Sequence, residues 1–158
     1  MVRRGVLAAA VSAALAATLA RAQTGPQPEL PKEKLVIITS DGQRHDFSVE
    51  VATSQQQQTT GLMFRPTVAA DGGMLFDWGT PRDSTMWMRN TIAPLDMLFI
   101  NPDGSIRHIA ENTVPGSLAQ IPSHGEVRAT LELAAGTAAQ LNLRVGDKVQ
   151  QRIFGNAS

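Results

Sequence analysis

The chain of 158 residues contains no cysteine. Thiol nucleophiles, thiolate metal sites, redox dithiols and disulfide staples are therefore excluded, and the fold has to rest on its apolar core. Tyrosine is also missing, and aromatic residues make up only 4% of the chain. Trp78, Trp87 and the phenylalanines are left as the large anchors expected in the core. Charge of either sign is sparse at 18%, and the cations are scattered, with no basic patch and no interleaved aromatics. Nucleic acid and anionic membrane surfaces are thus poor partners. The three histidines, His45, His108 and His124, fall at no metal-ligand spacing. There is no nucleophile elbow, and Gly72-Gly73 lacks the strand–loop–helix setting of a phosphate loop. A Ser117, His124 and Asp96 trio can be assembled on paper, as in almost any chain of this composition.

A long apolar run occurs only at the start. Arg3 and Arg4 precede an unbroken stretch of apolar and small residues from Val6 to Leu19, and Ala20-Arg21-Ala22 follows with small residues at the −3 and −1 positions. This is the three-part pattern of an export signal, so residues 1–22 are expected to be removed by cleavage after Ala22. The stretch is short and weakly hydrophobic for a retained span, and the residues after the arginine pair fit twin-arginine export poorly. The mature chain would hold 11 basic against 14 acidic side chains, a net charge of about −3, on about 136 residues. That length suits one domain with a real core, working in the periplasm or outside the cell with no membrane span. Residues 23–34 include three prolines and read as a flexible tether, residues 35–154 as the domain and 155–158 as a tail.

Beyond the tether, short apolar runs alternate with turn signals. Strands are expected at Leu35–Thr39 and Arg44–Ala52 around an Asp41-Gly42 hairpin turn, then at Met74–Trp78, Thr85–Arg89 and Leu95–Ile100. Further strands follow at Ser105–Glu111, Val127–Leu133 and Lys148–Phe154, with Asn101-Pro102-Asp103-Gly104 as a turn. Thr53-Ser54 followed by Gln56-Gln57 makes a capping pattern for a short helix that Gly61 can close, and Thr137–Leu141 forms one more helical turn. The pattern predicts a mainly β fold, an antiparallel sandwich or barrel of jelly-roll type with one or two short helices. A parallel α/β fold is not expected, because no amphipathic helix of 10–15 residues separates the strands.

The densest stretch reads GLMFRP from Gly61, GGMLFDW from Gly72 and TMWMRNTIAPLDMLFI from Thr85; NPDGSI and LELAAGTAAQLNLRVGD follow. These blocks, in this order, resemble the bacterial and archaeal family catalogued as domain of unknown function 192, over roughly Leu35 to Phe154. The resemblance implies a compact, often exported β-sandwich and no assigned reaction. Two departures stand out. Arg89 replaces the usual lysine, and glutamines precede Gly61 where the family often has Glu-Arg.

Within that stretch a few polar residues invite chemistry. On a strand, Met86, Met88 and Asn90 share one face, with Trp87 and Arg89 on the other. Asp96 shares a face with Leu98 and Ile100, and an acid buried there needs a partner or a proton. Arg65, Arg89 or the amides of the Asn90–Pro94 turn are the partners expected. Glu132, between Leu131 and Leu133, poses the same question unless alternation turns it to solvent. Arg65, Trp87, Asn90, Thr91, Asp96 and Glu132 are accordingly the ligand-binding candidates, for a small polar molecule, a glycan fragment or an envelope protein. The bland alternative is that Asp96 and Asn90 brace a tight turn and Arg65 only neutralises Asp96 or Glu132. Two rivals belong to other classes. One is a hydrolase using Asp96 or Glu132. The other is a copper-handling domain using the thioethers of Met86 and Met88 with His108, set against methionine's ordinary role as core filler. No cofactor is expected, and the leading reading is a non-catalytic binding domain.

Overall fold

A computed structural model describes residues 23–157; the expected signal peptide lies outside the described residues. Seven strands form one sheet. They are β1 (Lys32–Ile38), β2 (Arg44–Ala52), β3 (Met74–Met86), β4 (Leu95–Ile100), β5 (Ile106–Ala110), β6 (Ile121–Ala134) and β7 (Lys148–Gln150). Helix α1 (Gln55–Thr60) follows β2, and α2 (Thr137–Gln140) follows β6. The strand order is β5-β4-β6-β3-β2-β1-β7. The two edges then meet: Ser105 bridges Lys148, and Val149 N donates to Gly104 O at 2.7 Å. The sheet is nearly closed as a barrel, which removes the exposed edges that invite aggregation. Of the two architectures expected, the barrel is the one that forms.

Alternation decides what fills it. Leu35 and Ile37, Phe47 and Val49, Leu98 and Ile100, and Leu131 and Leu133 point inward from their strands into one core. Each such side chain contributes roughly 1.5–3 kcal/mol by leaving water. The opposite face of β3, β4 and β6 is buried as well. There Met74, Phe76, Leu95, Met97 and Phe99 form a second cluster with Leu62, Met86 and Met88. The chain between β2 and β3 covers that face, and it makes β2 and β3 the one parallel pair, with Val51 opposite Leu75. Parallel strands need a crossover. Here a six-residue helix and a loop suffice, so one parallel pair joins an otherwise antiparallel sheet.

Local signals explain α1. Ser54 Oγ accepts from Gln57 N at 3.2 Å, and Gln57 Oε1 accepts from Ser54 N at 3.1 Å, closing the capping box. Gln58 Nε2 donates to Ala52 O at 3.1 Å and Asp77 O at 2.7 Å, pinning the helix to β2 and β3. Gly61 ends it at φ 48°, where a Cβ would come within 3.0 Å of the Phe76 ring.

Three expectations need correction. Met74–Trp78 and Thr85–Arg89 are not separate strands: β3 runs through both, with register shifts at Asp77/Arg82 and Asp83/Thr85. Residues 152–154 form a 3₁₀ turn rather than the end of a strand. The segment read as a tether is docked. Gln27 Nε2 donates to Gln57 O and Gly61 O, both at 3.0 Å, and Leu30 N donates to Glu50 Oε2 at 2.7 Å. The tail is held too, through Asn156 Nδ2 donating to Val149 O at 2.9 Å.

Candidate functional site

A cleft of about 580 Å³ opens on the outer face of the sheet, between α1, the end of β3 and the segment that follows it. About half of its lining is apolar, supplied by Phe76, Trp78, Trp87, Leu62, Met63 and Met86. Thr59, Thr85, Thr91 and Gln55 add hydroxyl and amide groups. Phe76 and Trp78 lie with ring centroids 5.7 Å apart, and Trp78 Nε1 donates to Thr130 Oγ1 at 3.2 Å, which fixes the indole. The Arg82 guanidinium sits 4.3 Å above the Trp78 ring, and Arg89 sits 5.4 Å from the Trp87 ring. Trp87 is 44% exposed. The tryptophans, expected as core anchors, therefore flank a cleft instead.

Glu132 is the acid of this cleft. It stands on β6 with Met74 of β3 and Met97 of β4 as its cross-strand neighbours, so both flanking side chains on its face are thioethers. Alternation does turn it away from Leu131 and Leu133, but towards the second cluster and not to solvent: it is 4% exposed. No hydrogen bond or ion pair reaches its carboxyl among the described residues. Burial alone pushes its pKa up to about 8, and no cation lies close enough to pull it back. At neutral pH the group is mostly the uncharged acid, able both to donate and to accept. The backbone beside it is tight. Gly73 at φ 143° passes so close that a Cβ there would lie 2.2 Å from Glu132 O, so only glycine fits.

The other candidates are dispersed. Asp96, fully buried, faces the barrel side of the sheet, where Oδ1 accepts from Asn112 N at 2.9 Å and Oδ2 from Ala138 N at 2.8 Å. It braces backbone, as the bland reading has it, but at the loop after β5 and the start of α2 and not at the Asn90–Pro94 turn. Arg65 pairs with Glu50, neither Asp96 nor Glu132: its two guanidinium nitrogens donate to the two carboxylate oxygens, one of them at 3.0 Å. Asn90 adopts φ 54° in an exposed turn, its carbonyl accepting from Phe64 N at 2.8 Å. Thr91 is buried and lines the cleft with Trp87 and Glu132. The side chains of Arg65, Asn90, Thr91 and Asp96 thus find separate partners and do not bond to one another. Of the copper trio, Met86 lines the cleft, Met88 is buried with its sulfur 3.1 Å from Thr113 Oγ1, and His108 lies edge-on to His124 with centroids 4.7 Å apart. Among the described residues no three His, Asp or Glu side chains come together as metal ligands.

Sequence reasoning passed over Phe76, Trp78 and Arg82 as site residues, and α1 with them. The one available signal was the Trp78–Arg82 spacing, which the bulges of β3 bring into contact.

No curated protein matches the chain. Several solved structures do. A protein of Sinorhizobium meliloti, provisionally described as a transcription regulator, is 46% identical with a TM-score of 0.78; the match covers 80% of this chain and 98% of that one. A protein of unknown function from Novosphingobium aromaticivorans is 36% identical with a TM-score of 0.75, covering 83% of this chain and 94% of that one. Residues 36–151, nearly all of β1 to β7, match the family described as uncharacterized ACR, and the chain belongs to that family, DUF192.

Proposed function

We propose that this domain works after export, in the periplasm or outside the cell, and holds a small polar molecule in its outer cleft without catalysing a reaction. The observation that carries the reading is Glu132, a buried carboxyl that no group of the described chain satisfies, set among aromatic and thioether walls. Its oxygens meet solvent only at the cleft, and a carboxyl so poorly hydrated is costly to ionise. A ligand that brings the missing partner would recover that cost. The hydrolase reading needs a second reactive group converging on the acid. Arg82 is the cleft's other charged residue, and Asp96 is engaged on the far face of the sheet. The regulator description belongs to the Sinorhizobium protein; here the helices run to six and four residues, short for reading a DNA groove.

Two measurements test the proposal. Intact-mass analysis of the exported protein should give a chain beginning at Gln23, and a mature form that keeps Met1 overturns the export half. A melting-shift screen of neutral, cationic and anionic small molecules should find compounds that stabilise the parent but not Thr59→Trp, which fills the mouth from an exposed position. Hits that stabilise both proteins equally, or none at all, overturn the binding half.

A further inference from the structure

The binding partner of Glu132 can be specified by asking how this molecule treats its other buried acids. Glu50, Asp96 and Asp147 are as deeply buried, and each is supplied with donors. Glu50 has the Arg65 guanidinium and Leu30 N, Asp96 has two backbone amides, and Asp147 has Ser40 N at 2.9 Å and Arg144 N at 2.7 Å. Glu132 alone of the four has no donor among the described residues, and it lines the cleft. The indoles on either side of that cleft already hold cations, Arg82 on Trp78 and Arg89 on Trp87. Their faces are electron-rich surfaces suited to positive charge.

Resting on the binding reading above, we propose that the ligand presents a basic nitrogen, an ammonium group that docks against Glu132 between the aromatic walls. An ammonium ligand entering at neutral pH meets a protonated acid; the ion pair forms when the Glu132 proton leaves to solvent, so one proton is released and no covalent bond changes. A hydroxyl ligand would accept or donate one hydrogen bond and leave the acid protonated. The charged groups around Glu132 do not pre-empt the cation. β4 and α1 bring none to the cleft, Arg128 of β6 is paired with Asp77, and Arg82 and Arg89 are stacked on their indoles.

The probes are 2-phenylethylamine and its neutral counterpart 2-phenylethanol, titrated calorimetrically into the mature protein at pH 7 in two buffers of different ionisation enthalpy. The amine should bind at least about tenfold more tightly than the alcohol and release close to one proton. Raising the pH from 6 to 7 should tighten amine binding roughly tenfold and leave the alcohol unchanged. Glu132→Gln, which preserves shape and the uncharged state, should abolish both the preference and the release. Equal binding of the two probes without proton release, lost in Thr59→Trp, overturns the ammonium assignment and leaves the cleft as a binding site. Binding of neither probe, or binding indifferent to Thr59→Trp, overturns both. An amine preference that survives Glu132→Gln also overturns the assignment to this residue.

Discussion

Asp96 and Glu132 lie one register step apart on paired strands, β4 and β6, and are almost equally buried. Asp96 points to the side of the sheet where the loop after β5 and the start of α2 present amide groups, and both its oxygens accept hydrogen bonds. Glu132 points to the other side, where Met74, Met97 and the crossover chain present carbon and sulfur. The fold supplies donors to one acid and leaves the other without any. Burial does not separate them; the supply of donors does.

The largest effect expected from breaking this contrast comes from pH. Glu132 keeps its proton in the folded state up to about pH 8, whereas in the unfolded chain it titrates near 4.5. Between those values the folded state binds the extra proton, so stability falls as pH rises and levels off above about 8. The full span corresponds to roughly 4–5 kcal/mol. Glu132→Gln should match the parent near pH 4 and exceed its stability by several kcal/mol near pH 9. Urea unfolding of both proteins across that range checks it, and parallel curves would show that the carboxyl is solvated after all.

Arg65→Met makes Glu50 resemble Glu132 by removing its cation while keeping the apolar stem. The cost should be about 3–4 kcal/mol at neutral pH, since breaking a buried pair strands the surviving charge. Urea unfolding of parent and variant measures it, and a loss under about 1 kcal/mol, the worth of a solvent-exposed pair, would show that Glu50 is not stranded. Asp96→Ala comes third, at about 3 kcal/mol, because it orphans the amides of Asn112 and Ala138. A loss below about half a kcal/mol, the range of surface substitutions, would contradict the bonding described here.

How much of this was legible beforehand differs between fold and site. β2 and β4 begin and end at the residues the alternation and turn signals mark, and the capping box of α1 forms as Ser54 and Gln57 predict. Such features arise among residues a few positions apart. The site was half legible. Glu132 stands out in sequence as an acid between leucines, but its partner could not be read from neighbours that lie on other strands. Arg65 shows the same limit: its partner Glu50 is fifteen residues back, and the parallel pairing of β2 with β3 creates their meeting.

The sequence by itself determined that the molecule is cysteine-free, mainly β, rich in short strands joined by tight turns, and supplied with two acids in apolar runs. These follow from composition, from the two-residue period of strands and from the dihedral preferences of glycine, proline and asparagine, all local quantities. Only the tertiary structure decided which of those acids received donors, because that depends on which loop ends above each face of the sheet. The crossover between β2 and β3 leaves a cleft over Glu132 lined by tryptophans, while the loop after β5 and the start of α2 deliver amides to Asp96. The periodicity of a strand says that two successive side chains part company; what each one meets is set by chain segments far away in sequence.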